Sequence, residues 1–277
     1  MSVKKALATL PLVLNSCGGG DGDSGPDYTP NEPGKGIWEG GFSAQPLCTT
    51  CGSSGAIPPD ELSKIESIGL ALYTNSTYAP NKTPVFFYNE DDDILFANAI
   101  PGIVPSTNQL IYAPDIYQNG NNIRSVSFDG KAVISSRIDG RYLDGVVEVH
   151  FGVNFDQKYF QAANLSQFNG QWTYTSSVGV WTLDFDCPTC STAGVFSIST
   201  DGSSSCTGLG GLSLIGTGSK NEYDLSISLS SCGNSDFDGG YYGVASVLDG
   251  ISANNTIVMG FTSGNGNHGF FLKPVKN

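Results

Sequence analysis

Apolar and polar positions alternate with a period of two in several separate stretches of the chain. Val147, Val149, Phe151, Val153 and Phe155 fall on one side of such a stretch, and Glu148, His150, Gly152 and Asn154 on the other. Tyr223, Leu225, Ile227 and Leu229 alternate with Asp224, Ser226, Ser228 and Ser230, and Ile257, Met259 and Phe261 follow the same rule. Successive side chains of a strand point to opposite faces, so the pattern predicts half-buried strands with one face in a core. Turns are predicted at Asn119-Gly120, Asp129-Gly130, Asp139-Gly140, Asp201-Gly202 and Lys220-Asn221, where residues tolerant of unusual backbone angles cluster. One short helix is predicted to begin at Pro58-Pro59-Asp60-Glu61. Many short strands broken by turns imply an all-β fold of antiparallel β-barrel or β-sandwich modules.

The pattern recurs along the chain. Gly36-Ile37-Trp38 is followed by Phe42 and Cys48-Thr49-Thr50-Cys51; Gly170-Gln171-Trp172 is followed by Phe185 and Cys187-Pro188-Thr189-Cys190. Each copy runs Gly-x-Trp, β-like residues, Cys-x-x-Cys and then alternating strands. Two small modules are expected, 36–165 and 166–277, joined near Ala162-Ala163-Asn164. The segment 166–277 is expected to fold alone, since it holds a full set of strands.

Before the first module the composition changes. Lys4 and Lys5 precede an apolar run, Ala6 to Leu14, of about nine residues, too short for a bilayer span of roughly 20. A positive start, a short apolar run and a small residue describe a secretory signal over 1–16. Leu14-Asn15-Ser16-Cys17 resembles the lipobox of bacterial lipoproteins, with Leu14, Ser16 and Cys17 at the matching positions and Asn15 a less usual filler. The resemblance implies cleavage before Cys17 and attachment of palmitate and other acyl chains there. Gly, Pro, Asn and Asp fill the stretch from Gly18 to Gly36, so 17–35 is expected to be a disordered, flexible tether. An Asp directly after the lipidated cysteine retains such proteins in the inner membrane. Gly18 stands here, so the resemblance implies the outer membrane, facing the periplasm or the cell surface. Through the Gly-x-Trp openings and the short Gly-rich strands, the body at 36–277 resembles surface lipoproteins of the transferrin-binding protein B and factor H-binding protein type. The likeness is architectural and names no ligand.

Charge narrows the partners. Loss of Lys4 and Lys5 with the leader leaves 11 cations against 26 carboxylates, a balance near −15. That argues against nucleic acid and against adhesion to anionic lipid, so the membrane partner must be reached through the anchor.

Apart from Cys17 there are six cysteines, an even number that reads as disulfides in an exported chain. A hairpin centred between Ser219 and Lys220 would set Cys206 opposite Cys232, give or take a bulge at Gly210-Gly211, as a cross-strand bridge. Cys48, Cys51, Cys187 and Cys190 are read first as two loop-stapling disulfides. A four-thiolate zinc site between the modules and a redox dithiol are the alternatives.

Candidate catalytic groups are sparse. His150 lies on the polar face of a strand and His268 in a turn-like Gly266-Asn267-His268-Gly269. Neither has a second histidine at metal-ligand spacing, and no Gly-x-Ser-x-Gly elbow or phosphate-cradling loop occurs, so no cofactor and no metal is expected. Glu90-Asp91-Asp92-Asp93 reads as a solvated hairpin turn. Tyr112, Tyr117, Tyr241 and Tyr242 are candidates for an exposed aromatic patch. These features point to a non-enzymatic, lipid-anchored module that binds an envelope or extracellular protein or glycan, or serves structurally. A glycan hydrolase with dispersed carboxylates, or an accessory or inhibitor of another envelope protein, is the alternative.

Overall fold

The computed structural model describes residues 36–46, 69–73, 85–89, 93–97, 102–104, 107–133, 136–144, 147–202, 205–248 and 256–277. The fold is all-β. The described residues form antiparallel strands and three single 3-10 turns. Cys17, Cys48, Cys51 and the helix expected at Pro58 lie outside them.

The first sheet contains β1 (Gly36–Pro46), β2 (Gly69–Tyr73), β3 (Val85–Asn89), β4 (Ile94–Ala97), β5 (Gly102–Val104) and β6 (Gln109–Tyr112). It continues with β7 (Asp115–Gln118), β8 (Asn121–Ser125), β9 (Phe128–Val133), β10 (Arg137–Asp144) and β11 (Val147–Asp156). Its order is β5-β6-β9-β10-β11-β1-β2-β3-β4-β7-β8, so the first and last strands in sequence are central neighbours. The two limbs curl toward one another around Phe128. Its ring meets those of Phe87, Phe96, Tyr112, Tyr142 and Phe151 from strands of both limbs, at centroid distances between 5.0 and 5.9 Å.

Two of the predicted turns are strand interior instead. Gly130 and Gly140 oppose each other in the β9–β10 ladder. A Cβ on Gly140 would stand 2.5 Å from the Phe151 ring, and one on Gly130 would stand 2.2 Å from the Asp139 carbonyl oxygen. Glycine serves here to admit the aromatic core and close strand approach rather than to turn the chain. Asn119-Gly120 does form the β7–β8 turn, with φ of +51° and +77°.

The second sheet contains β12 (Gly170–Ser176), β13 (Gly179–Phe185), β14 (Ala193–Thr200), β15 (Thr207–Leu214) and β16 (Tyr223–Ser230). β17 (Gly239–Val247), β18 (Ile257–Ser263), β19 (Gly269–Leu272) and β20 (Val275–Lys276) complete it. It is a meander from β12 to β19, and β20 returns to pair with β12 through Trp172↔Lys276 and Thr173↔Val275. β19 and β20 form one strand interrupted at Lys273-Pro274, so the sheet closes into a barrel at its lower end. Its interior is packed with Trp172, Trp181, Phe196, Tyr223, Phe261 and their neighbours.

Both sheets open alike. Gly36 and Gly170 have φ of +150° and +111°, and Trp38 and Trp172 are buried in the respective cores. Between β11 and β12 the chain makes two 3-10 turns, Gln157–Phe160 and Leu165–Phe168, each started by a side chain, Asp156 and Asn164, that accepts from the backbone two residues on. Leu165 and Phe168 already belong to the second core.

A third cluster joins the sheets. Ile37, Phe86, Tyr88, Leu95, Ala97, Tyr117 and Tyr159 from the first side pack with Val244, Leu248, Val258 and Phe271 from the second. Val258 and Gly260 are therefore buried although they lie on the outward side of β18, where the alternation had assigned a polar face. A Cβ on Gly260 would stand 2.4 Å from the Phe86 ring.

Candidate functional site

The second sheet carries both described disulfides. Cys206 and Cys232 are bonded, as the hairpin argument expected, but the β15–β16 ladder runs without a bulge from Leu214↔Tyr223 to Thr207↔Ser230. The turn is thus centred between Gly218 and Ser219, one residue earlier than expected, and the bridge closes the open end of the hairpin. Cys187 and Cys190 are bonded to each other across a Cα separation of 5.2 Å. Their sulfurs rest on Gly194, where a Cβ would come within 2.7 Å of Cys187 Sγ. With both thiols in that bond, they are not thiolate ligands for a metal shared between the modules.

The two core clusters are built from large side chains, which directs attention to the outer faces. Tyr112, Tyr117 and Tyr241 are core residues, which corrects the proposed aromatic patch; of the four, Tyr242 is the one that reaches solvent, at 43% exposure. Burial raises the hydroxyl pKa of Tyr112, Tyr117 and Tyr241 well above the usual tyrosine value and pushes Tyr223 up to about 12, where the Asn164 backbone N–H donates to its oxygen. These hydroxyls act as fixed hydrogen-bond groups, not as acids at neutral pH.

Tyr242 shares the outer face of the barrel with the two most exposed large apolar side chains among the described residues, Val195 at 68% and Leu209 at 71%. In the ladders Val195 opposes Gly211, Gly211 opposes Ser226 and Ser226 opposes Tyr242; in the next row Leu209 opposes Ser228. The result is three apolar side chains set among outward glycine and serine positions. The charge beside it is a carboxylate: Asp184 opposes Ser197, which opposes Leu209 in the same row of the face.

The outer face of the first sheet is ionic instead. Arg137 Nε donates to both carboxylate oxygens of Asp139 at 2.7 and 2.8 Å, and Arg137 Nη1 donates to Asn154 Oδ1 at 3.3 Å. Arg141 Nη2 donates to Asp129 at 3.3 Å. Burial raises the Asp139 carboxyl pKa, and the Arg137 guanidinium partly opposes that rise. His150 faces Arg141 in the β10–β11 ladder, while His268 sits in the β18–β19 turn with its ring edge-on to Phe237 at 5.0 Å. The two histidines thus belong to different sheets.

One site was not legible as such in the sequence: the seam between the sheets. Asp93, expected in a solvated turn, does sit at a turn with φ of +50°, but its carboxylate accepts from Tyr88 Oη at 2.9 Å and from Ser177 Oγ. Tyr88 Oη also lies 3.1 Å from Tyr174 Oη, and its ring stacks on Phe271 at 4.6 Å. Burial raises the Tyr88 hydroxyl pKa far above the usual range. Beside these groups is a small recess open to solvent, lined by both sheets.

No protein-family model matches the chain, and no curated protein sequence matches it.

Proposed function

We propose that the protein is a lipid-anchored lipoprotein of the outer membrane that works without catalysis, as a rigid β-scaffold binding an envelope or extracellular protein or glycan. The observation that carries this reading is the leader ending in Leu14-Asn15-Ser16-Cys17, followed by a Gly/Pro/Asn-rich tether. A single acyl chain holds a protein to a bilayer only marginally, so a multiply acylated cysteine on a flexible leash suits a module kept at the membrane and free to reach a partner. The side chains packed inside both sheets support a role for the outer faces, and the face with Val195, Leu209 and Tyr242 is the surface best suited to a partner.

The binding half of the proposal is tested by placing a photo-crosslinking residue at Leu209 or Val195 in intact cells, with the exposed Val133 of the first sheet as control. Discrete adducts from Leu209 and Val195 but not from Val133 are expected. Equal labelling from all three positions would contradict the assignment of this face.

A further inference from the structure

The barrel is closed at one end and split at the other. β20 pairs with Trp172 and Thr173, in the lower half of β12. Tyr174, Thr175 and Ser176 continue β12 upward, and among the described residues no ladder joins them to β19. An unpaired pair of edges in a barrel is an exposed run of backbone donors and acceptors, which a stable sheet must cover.

The first sheet supplies the cover through two hairpin tips. From the β3–β4 turn, Asp93 accepts from Ser177 on the β12–β13 turn, and Tyr88 reaches Tyr174 on β12 while stacking on Phe271 of β19. One side chain thus touches both lips of the split. From the β7–β8 turn, Gly120 lies where a Cβ would stand 2.4 Å from the ring of Phe270, a barrel-core residue. The same tip is tied by backbone hydrogen bonds from Gly269 N to Gly120 O at 3.1 Å and from Asn122 N to Asn267 O at 2.8 Å. Tyr117 Oη donates to Gly266 O at 2.9 Å.

We infer that the first sheet is a built-in strap that completes the second barrel, so that the two sheets open and close as a single cooperative unit with no hinge at 157–169. Three kinds of contact tie the first sheet to the lips of the split: Tyr88, which reaches Tyr174 on one and Phe271 on the other, the Asp93 hydrogen bond with Ser177 on the β12 side, and the main-chain bridge from Gly120 and Asn122 on the β19 side. Removing the strap would also bare Val244, Val258 and Phe271, which the shared cluster buries. The segment 166–277 by itself therefore has a split barrel and an apolar flank. A partner that grips either sheet stabilises the other, because whatever binds the closed form alone shifts the whole equilibrium.

The test uses the full chain. Calorimetric unfolding should show one transition, and Tyr88→Phe, which deletes only the hydroxyl, should move that single transition down by about 3–6 °C. Amide exchange at Gly269–Leu272 should accelerate together with exchange at Val85–Asn89 in that variant. Gly120→Val, which drives a side chain into Phe270, should do the same more strongly. Two resolved transitions in the wild type would overturn the inference. So would a Tyr88→Phe variant in which Val85–Asn89 exchanges faster and Gly269–Leu272 does not.

Discussion

The side-chain amide of Asn221 pairs with the backbone of Val247 at both ends. Nδ2 donates to the Val247 carbonyl oxygen at 2.6 Å, and Oδ1 accepts from the Val247 amide at 3.1 Å. Tyr223 opposes Ala245 in the β16–β17 ladder, so Val247 is where position 221 falls in register. A side chain here continues the ladder that the backbone has left. The Asn221 backbone meanwhile donates to Tyr159 O and accepts from Ser246 Oγ. Asn221→Ala would leave both Val247 groups buried and unpaired, at about 1–3 kcal/mol each before any relaxation. A loss of about 2–4 kcal/mol is expected in denaturant titration. A change below about 0.5 kcal/mol would show that the amide is replaceable by water.

The two disulfides should differ in worth. Cys206–Cys232 closes a loop with a sequence separation of 26, and Cys187–Cys190 one of 3. A bridge stabilises mainly by restricting the unfolded chain, and the restriction grows with loop length. Replacing Cys206 and Cys232 together by serine should cost about 3 kcal/mol, and replacing Cys187 and Cys190 should cost less. Melting curves of the two double variants decide it; a larger loss at Cys187–Cys190 would mean that its packing on Gly194 outweighs the chain-entropy effect.

Asp139 gives a pH signature opposite to that of most carboxylates. Its pKa is raised in the folded protein, mainly by burial and despite Arg137. The folded state then takes up a proton before the unfolded state does as pH falls, so this group adds stability on acidification from neutral pH toward the ordinary carboxylate pKa of about 4. Relative to Asp139→Asn, the wild type should gain melting temperature over that window. A constant difference from pH 7 downward would refute the shift.

The buried tyrosines govern the alkaline limit. Tyr88, Tyr112, Tyr117, Tyr223 and Tyr241 all have raised hydroxyl pKa values in the folded state, first of all through burial. Their contribution is fully present below the unfolded tyrosine pKa of about 10 and is lost as pH rises beyond it. The part of the tyrosinate absorbance due to these five should therefore rise in one cooperative step coincident with loss of circular dichroism, above the gradual ionisation of exposed tyrosines such as Tyr242. Gradual ionisation of these tyrosines while the β-signal persists would contradict their burial.

Legibility in the sequence follows burial on one face or two. β11 and β16 alternate visibly because one side of each meets a core and the other meets water or small polar groups. β3 and β4 read as continuous apolar runs, Val85-Phe86-Phe87-Tyr88 for example, because the outward side chains pack in the cluster shared by the sheets. That missing alternation was the available signal for the seam, together with an Asp93 flanked by such runs. Gly130 and Gly140 mislead as turn residues because the demand on them is space for Phe151 and for the facing strand. The Cys206–Cys232 bridge follows from hairpin register, whereas the contacts of Tyr88 with Tyr174 and Phe271 depend on how two separately formed sheets meet, which no local pattern records.

The central claim is the anchor, and the N-terminal peptide of the mature protein tests it most directly. Mass analysis of protein extracted from membranes of cells fed labelled palmitate should find an N-terminus at Cys17, carrying a diacylglyceryl group and an amide-linked acyl chain. Cys17→Ser should abolish the label and leave the leader uncleaved or the protein soluble. An unmodified Cys17 inside an uncleaved chain, or a Cys17→Ser protein that still incorporates palmitate and fractionates with membranes, would contradict the account.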